Sequence, residues 1–113
     1  MNSEEILLVF TNLPERESAE RVAQALIASR AAACVNILAA CTSVYRWQEK
    51  IASASEVPLL IKTTRAAYAR VEATIRAHHP YELPEIVAVS VSAGLPGYLQ
   101  WVAQETQTPE NQN

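Results

Sequence analysis

Apolar and polar positions along this chain switch between two periods, and each switch marks an element. Residues 5–11 (EILLVFT) are a nearly continuous apolar run, which suits a central strand covered on both faces or a piece of buried helix. The break at Asn12, Leu13 and Pro14 ends the run and starts a helix, with Thr11 or Asn12 as its cap. Ala19, Val22, Ala23, Leu26 and Ile27 then recur at spacings of three and four, with Glu15, Arg16, Glu17, Glu20 and Arg21 on the other side. This is an amphipathic helix with acids in its first turn, where the helix dipole favours them.

From residue 33 to 47 the period becomes two. Val35, Ile37, Ala39, Cys41 and Tyr45 lie on one alternating face, Gln48 and Glu49 make a polar turn, and residues 50–63 return as a second strand. On that strand Ile51, Val57, Leu59 and Ile61 share a face. Residues 52–56 (ASASE) are weak strand formers and Pro58 donates no hydrogen bond, so a bulge, loop or edge position is expected there. Unbroken, each strand of this hairpin spans roughly 40 Å at about 3.3 Å per residue. A domain of this size has a radius of gyration of only about 13 Å. The hairpin therefore projects past its core, and its edges call for another chain.

Thr64 is placed to cap a second helix that runs from Arg65 to His78 or His79, with Tyr68, Val71, Ile75 and His78 as its stripe. His79 lies about 100° round from His78, and Pro80 stops the helix. Residues 85–92 (EIVAVSVS) read as a strand, Gly94, Pro96 and Gly97 as a break, and residues 98–104 (YLQWVAQ) as a short helix laying Tyr98, Trp101 and Val102 on the body. From Glu105 onward no apolar side chain remains, and a frayed tail is expected. The order is βαββαβ with a terminal helix: an α+β, ferredoxin-like antiparallel sheet with two helices on one face. A single domain over residues 1–113 accommodates it.

Composition narrows the function. The net charge is −3, without the concentrated basic face that nucleic acid demands, so no nucleic-acid partner is expected. The apolar run at residues 6–10 is too short for a signal peptide or a membrane span. That makes the cytoplasm the default compartment, with no membrane partner. Cys34 and Cys41 stand seven apart, which is no zinc or redox motif. In an unbroken strand they face opposite ways, so they read as small buried hydrophobes rather than a bridge.

The stretch with the densest chemistry is HHPYELPEI, residues 78–86, where helix gives way to strand. It holds both histidines, His78 and His79, with Glu82 and Glu85 close behind. Imidazole suits copper, nickel and zinc, and Glu82 adds an oxygen ligand. Adjacent helical side chains diverge, so chelation by both rings needs the helix end to unwind at Pro80. Without metal, the pair caps the helix C-terminus and His78 packs on the stripe. Glu82 and Glu85 beside His79 also suit acid–base chemistry, but no activated nucleophile accompanies them. No enzymatic activity is expected. Tyr81 and Pro84 shape a packed turn that the tyrosine hydroxyl can fix. Tyr45 and Trp47, at the hairpin tip, are expected to bury against a neighbouring subunit.

Taken together, ACVNI (33–37), SVYRWQEKI (43–51), VPLLIKTT (57–64) and HHPYELPEI (78–86) resemble the CutA family of divalent-cation tolerance proteins. The resemblance covers residues 5–104. It implies a ferredoxin-like subunit in a homotrimer, similar in architecture to PII signalling proteins, and a cytoplasmic role in tolerance of copper and other divalent cations. Some members are described as copper-binding, through a cysteine ending the first strand and the two histidines before Pro-Tyr. Those histidines match His78 and His79, but Phe10 stands at the cysteine position. Many members carry glycine where Glu49 stands in the hairpin turn. The likeness to PII proteins adds an alternative, a small anion or a partner held in an intersubunit cleft. Lys62, Lys50 and Arg65 are its cations, with Tyr81 and Glu85 beside them. Lys62 has Glu56 or Glu85 as its competing ion-pair partners.

Overall fold

The computed structural model describes residues 5–108. Its elements run β1 (Ile6–Leu13), α1 (Arg16–Ala28), β2 (Cys34–Ile37), β3 (Cys41–Trp47), β4 (Lys50–Thr64), α2 (Tyr68–His78), β5 (Val87–Ser90) and α3 (Pro96–Glu105). The sheet has the order β2-β4-β1-β5 with antiparallel neighbours throughout, and β3 pairs with the outer half of β4. This is the ferredoxin-like α+β arrangement that the element order predicts. None of the described helices is long and apolar enough to cross a membrane.

Strand alternation decides what is buried. Val9 and Leu13 of β1 and Val57, Leu59 and Ile61 of β4 point to one face, where Val22 and Leu26 of α1 and Val71 and Ile75 of α2 cover them. Each such side chain contributes about 1.5–3 kcal/mol by leaving water. The opposite face is largely bare. Phe10 is 37% exposed and Val87 and Val89 are each 50% exposed, so β1 is not covered on both sides. Among the described residues only α3 packs there, against β4 and β1 at one end, and it buries Val102 while Tyr98 and Trp101 stay 40% exposed.

The hairpin departs from expectation in an instructive way. The segment from 33 to 47 is two strands. Ile37 pairs with Leu59 and Cys41 with Glu56, so three residues, 38–40, face two, 57 and 58. This is a one-residue bulge. Leu38 N–H donates to the Pro58 carbonyl at 3.0 Å, and proline has no N–H to return the bond, which breaks the ladder here. The irregularity thus falls on the strand opposite Pro58, while residues 52–56 stay in register within the 15-residue β4. The extra residue also reverses the parity of the cysteines. Their partners on β4, Lys62 and Glu56, are an even number apart, so Cys34 and Cys41 lie on the same side. Both are free, and Cys41 is exposed rather than buried. The long β4 carries the hairpin out as an arm, and the molecule measures 51 × 26 × 24 Å.

Helix ends also shift. Glu15, not Thr11 or Asn12, is the N-cap of α1, because β1 runs on to Leu13. At its other end Arg30 takes φ 61°, and Ala31 N–H and Arg30 N–H close on Leu26 and Ile27 carbonyls at 3.0 and 3.1 Å, a Schellman stop. Thr64 does not cap α2. Its hydroxyl accepts Ala67 N–H at 3.2 Å, closing a turn ahead of Tyr68. The last strand is shorter than residues 85–92 and the last helix longer than 98–104. Thr106 is buried and its hydroxyl donates to the Val102 carbonyl at 3.0 Å, so the chain is still packed at the point where fraying was expected. The rest of that tail, 109–113, lies outside the described residues.

Candidate functional site: the joint after α2 and the base of the arm

The two histidines have opposite fates, and Pro80 is the reason. The residue before a proline is driven out of helical backbone, and His79 has φ −85° and ψ 134°. That turns its ring off the helix and onto the end of β1, where it is 8% exposed. Its Nε2 donates to the Asn12 carbonyl at 2.7 Å, and its Nδ1 accepts Tyr81 N–H at 3.1 Å. Both nitrogens are thus spent on backbone groups, and the proton belongs on Nε2. Burial pushes the His79 pKa down, against opposing pulls from the Asn12 bond and the Glu56 charge. His78 stays exposed rather than packing on the stripe. Its Nδ1 donates to the Thr74 carbonyl at 3.0 Å, and among the described residues Nε2 has no partner.

Asn12 ties both ends of the joint. Its carbonyl holds His79, and its side-chain amide donates to Glu85 Oε1 at 3.0 Å. Between them the Tyr81 ring lies 4.7 Å from the His79 ring, and its hydroxyl donates to Glu56 Oε2 at 3.1 Å. Burial raises the Tyr81 pKa, and the bond to Glu56 raises it further. Sequence reasoning reached the tyrosine hydroxyl but treated Asn12 only as a cap and Glu56 only as a partner for Lys62. No local signal announces a contact across 67 residues.

These contacts fold the joint against the arm and leave a groove of about 700 Å³ that runs along it from Glu56 towards the tip, walled by Tyr45, Trp47, Glu56, Tyr81, Glu82 and Glu85. The groove forms within one chain. Glu82 faces it rather than His78 or His79. Among the described residues no three histidine, cysteine or acidic side chains gather to hold a metal. A copper centre built on both histidines does not fit, since His79 has no free nitrogen and Phe10 offers no thiolate.

The expected cations do not converge either. Lys62 donates to Asn36 Oδ1 at 2.6 Å and lies 3.9 Å from Cys34 Sγ, so it pairs with neither Glu56 nor Glu85. Lys50 is at the far end of the same strand, opposite Trp47, roughly 40 Å away at about 3.3 Å per residue. Arg65 is bound to Glu5 at 2.8 Å. Tyr81 and Glu85 line the groove without these three cations.

Fold and groove describe a ferredoxin-like domain with a bare sheet face, a projecting arm and an acidic, aromatic groove along the arm. The sequence model of the CutA1 divalent ion tolerance protein family matches residues 7–105, and the chain belongs to that family. It is 42% identical to the divalent-cation tolerance protein CutA of Thermus thermophilus, over 91% of this chain and 98% of that one. It is 39% identical to protein CutA of Mus musculus, over 90% of this chain but 58% of the longer mouse protein. The crystal structure of CutA from Xylella fastidiosa superposes with a TM-score of 0.89 at 43% identity, covering 91% and 99% of the two chains.

Proposed function

We propose that the protein serves divalent-cation tolerance as a homotrimer, by binding rather than by catalysis. Family membership supports the role. The observation that carries the assembly is the bare sheet face, where Phe10, Val87 and Val89 stand exposed beside Tyr98 and Trp101. The arm adds Val44, Trp47 and Ile51, all more than half exposed. Apolar area of this extent on one side of a small domain calls for a partner, and the homotrimer that the family resemblance implies supplies the count. A binding role is favoured because His79, the imidazole that acid–base chemistry would draw on, is committed to backbone groups. Two free thiols suit a reducing compartment, in keeping with a cytoplasmic location.

Copper enters this proposal through one ligand. His78 Nε2 is the ring nitrogen that the joint leaves open, and imidazole suits Cu²⁺. The test is a calorimetric titration of metal-free protein with Cu²⁺, run beside His78→Ala and His79→Gln. The expected result is an affinity reduced at least about tenfold by His78→Ala, no less than the loss of an outer-shell partner costs, and little changed by His79→Gln. The reverse pattern would refute the single-ligand assignment.

A further inference from the structure

We propose that α3 is a strap latched by Arg70, and that releasing it disassembles the protein. The inference rests on the reading of the bare sheet face as the contact between copies. Arg70 belongs to α2, in the helix layer, whereas α3 packs on the other face. The chain after α3 turns round the end of β4, where the Thr64 and Thr106 hydroxyls meet at 3.4 Å. There the Arg70 guanidinium donates to carbonyls at two helix ends, Ser29 at 3.2 Å and Thr106 at 2.8 Å. These residues are the C-caps of α1 and α3. Neither helix has a basic residue in its own last turn, so the negative ends of both dipoles are left for another element to meet. One planar fork reaches both, which a single ammonium does not. Arg30 adds a longer bond to the Glu105 carbonyl, at 3.4 Å.

The rest of α3 is held lightly. Val102 is its single buried side chain, and residues 91–95, which lead into it, have no regular structure. Along one flank lies a groove of about 530 Å³, with Leu99, Ala103 and Gln107 on one side and Glu5, Ile6 and Val91 on the other. Apolar burial alone therefore does not hold the helix down, and there is room beside it. Segments with few buried apolar contacts are the ones that open locally while the core stays folded. What moves with α3 is an aromatic pair, Tyr98 and Trp101, with ring centroids 5.5 Å apart. Both stand exposed on the face that the other copies cover. An undocked strap withdraws them, and only the docked fraction of chains is competent to assemble. Arg70, in the opposite layer, thus sets how much of the protein can assemble.

Two measurements test this. Hydrogen exchange is compared between Val89→Lys and Val89→Lys combined with Arg70→Ala, so that loss of the interface weighs equally on both. The expected result is exchange at residues 98–106 at least about tenfold faster with Arg70→Ala, the factor that losing a hydrogen bond to a charged group brings. Exchange in the paired segments of β1 and β4 stays unchanged. Light scattering over a dilution series then follows native protein, Arg70→Ala and Arg76→Ala, which removes an exposed charge from the same helix. Arg70→Ala is expected to dissociate at a concentration at least about tenfold higher than the other two. Unchanged exchange in α3 would overturn the latch. A native protein that is monomeric throughout would overturn the interface reading, and this inference with it. Native trimers that Arg70→Ala leaves intact would overturn this inference alone. Should Arg70→Ala fail to fold, Arg70→Lys decides: it keeps the charge and the stem but not the fork, and the same two changes are expected in smaller measure.

Discussion

His79 shows how one residue's environment sets its chemistry. In an unfolded chain it titrates near 6.5, and burial holds its folded value below that. Between the two values the unfolded chain takes up a proton that the folded one refuses. Its stabilising contribution is therefore complete above about pH 6.5 and is lost as the pH falls towards the depressed folded value. Geometry gives the same sign, since a proton on Nδ1 would face Tyr81 N–H. The groups around the ring are the Asn12 carbonyl, Tyr81 and the Glu56 carboxylate, with Glu85 reaching it through Asn12. The Asn12 carbonyl and the Glu56 charge both favour a proton on the ring, and burial outweighs them. Thermal melts of the native protein should fall more steeply between pH 7.5 and 5.5 than those of His79→Gln, which keeps an N–H for Asn12. Parallel curves for the two proteins would count against this account.

At the scale of an element, the arm's tip is the informative case. Gln48 and Glu49 have φ of 51° and 68°, the two-residue turn with both centres left-handed that matches strand twist. Neither is glycine, and left-handed backbone costs an L-residue roughly 1–2 kcal/mol. Glycine at 49 removes that cost but frees the unfolded chain by about 0.5–1 kcal/mol. Glu49→Gly should then raise stability by up to about 1 kcal/mol, read as a higher urea midpoint at unchanged slope. A lower midpoint would mean that the Glu49 side chain holds the tip in a way the turn geometry does not reveal. The glutamate substitution thus leaves the turn type intact and alters its cost. Pro58 acts at the same scale. It signalled a defect in the ladder, but the defect appears at residues 38–40, because the lost donor is felt by the strand that needed it.

For the whole molecule, the bare sheet face is the feature that must be answered. Val89 stands opposite Leu8 on that face and is 50% exposed in the single chain. A lysine there is tolerable in an isolated subunit, where its ammonium reaches water. Inside an interface an unpaired charge costs about 3–5 kcal/mol, repeated in every copy. Val89→Lys is expected to yield folded species smaller than a trimer by light scattering at micromolar concentration, with native far-UV circular dichroism. Retention of the native assembly would place the interface elsewhere.

Much of the fold was legible because period is a local property. The alternation in 57–61 and the three-four spacing in 19–27 mark strand and helix without reference to anything distant. Length and turn chemistry added the order βαββαβ and the projecting hairpin, and the motifs from residue 33 to 86 pointed to the family. Tertiary structure decided the rest. It set which face of β1 is covered, since Phe10 and Val9 are equally apolar and only the placement of the helices separates them. It shifted the register by one residue at 38–40, which moved Cys41 to the side of Cys34. It separated His78 from His79 and gathered Glu56, Tyr81, Glu82 and Glu85 around one groove. Sequence by itself determined the elements, because backbone period and burial pattern repeat every few residues. The site depended on the tertiary fold, because its contacts join Asn12 to His79 and Glu56 to Tyr81, pairs that only strand register and a proline-forced turn bring within hydrogen-bond reach.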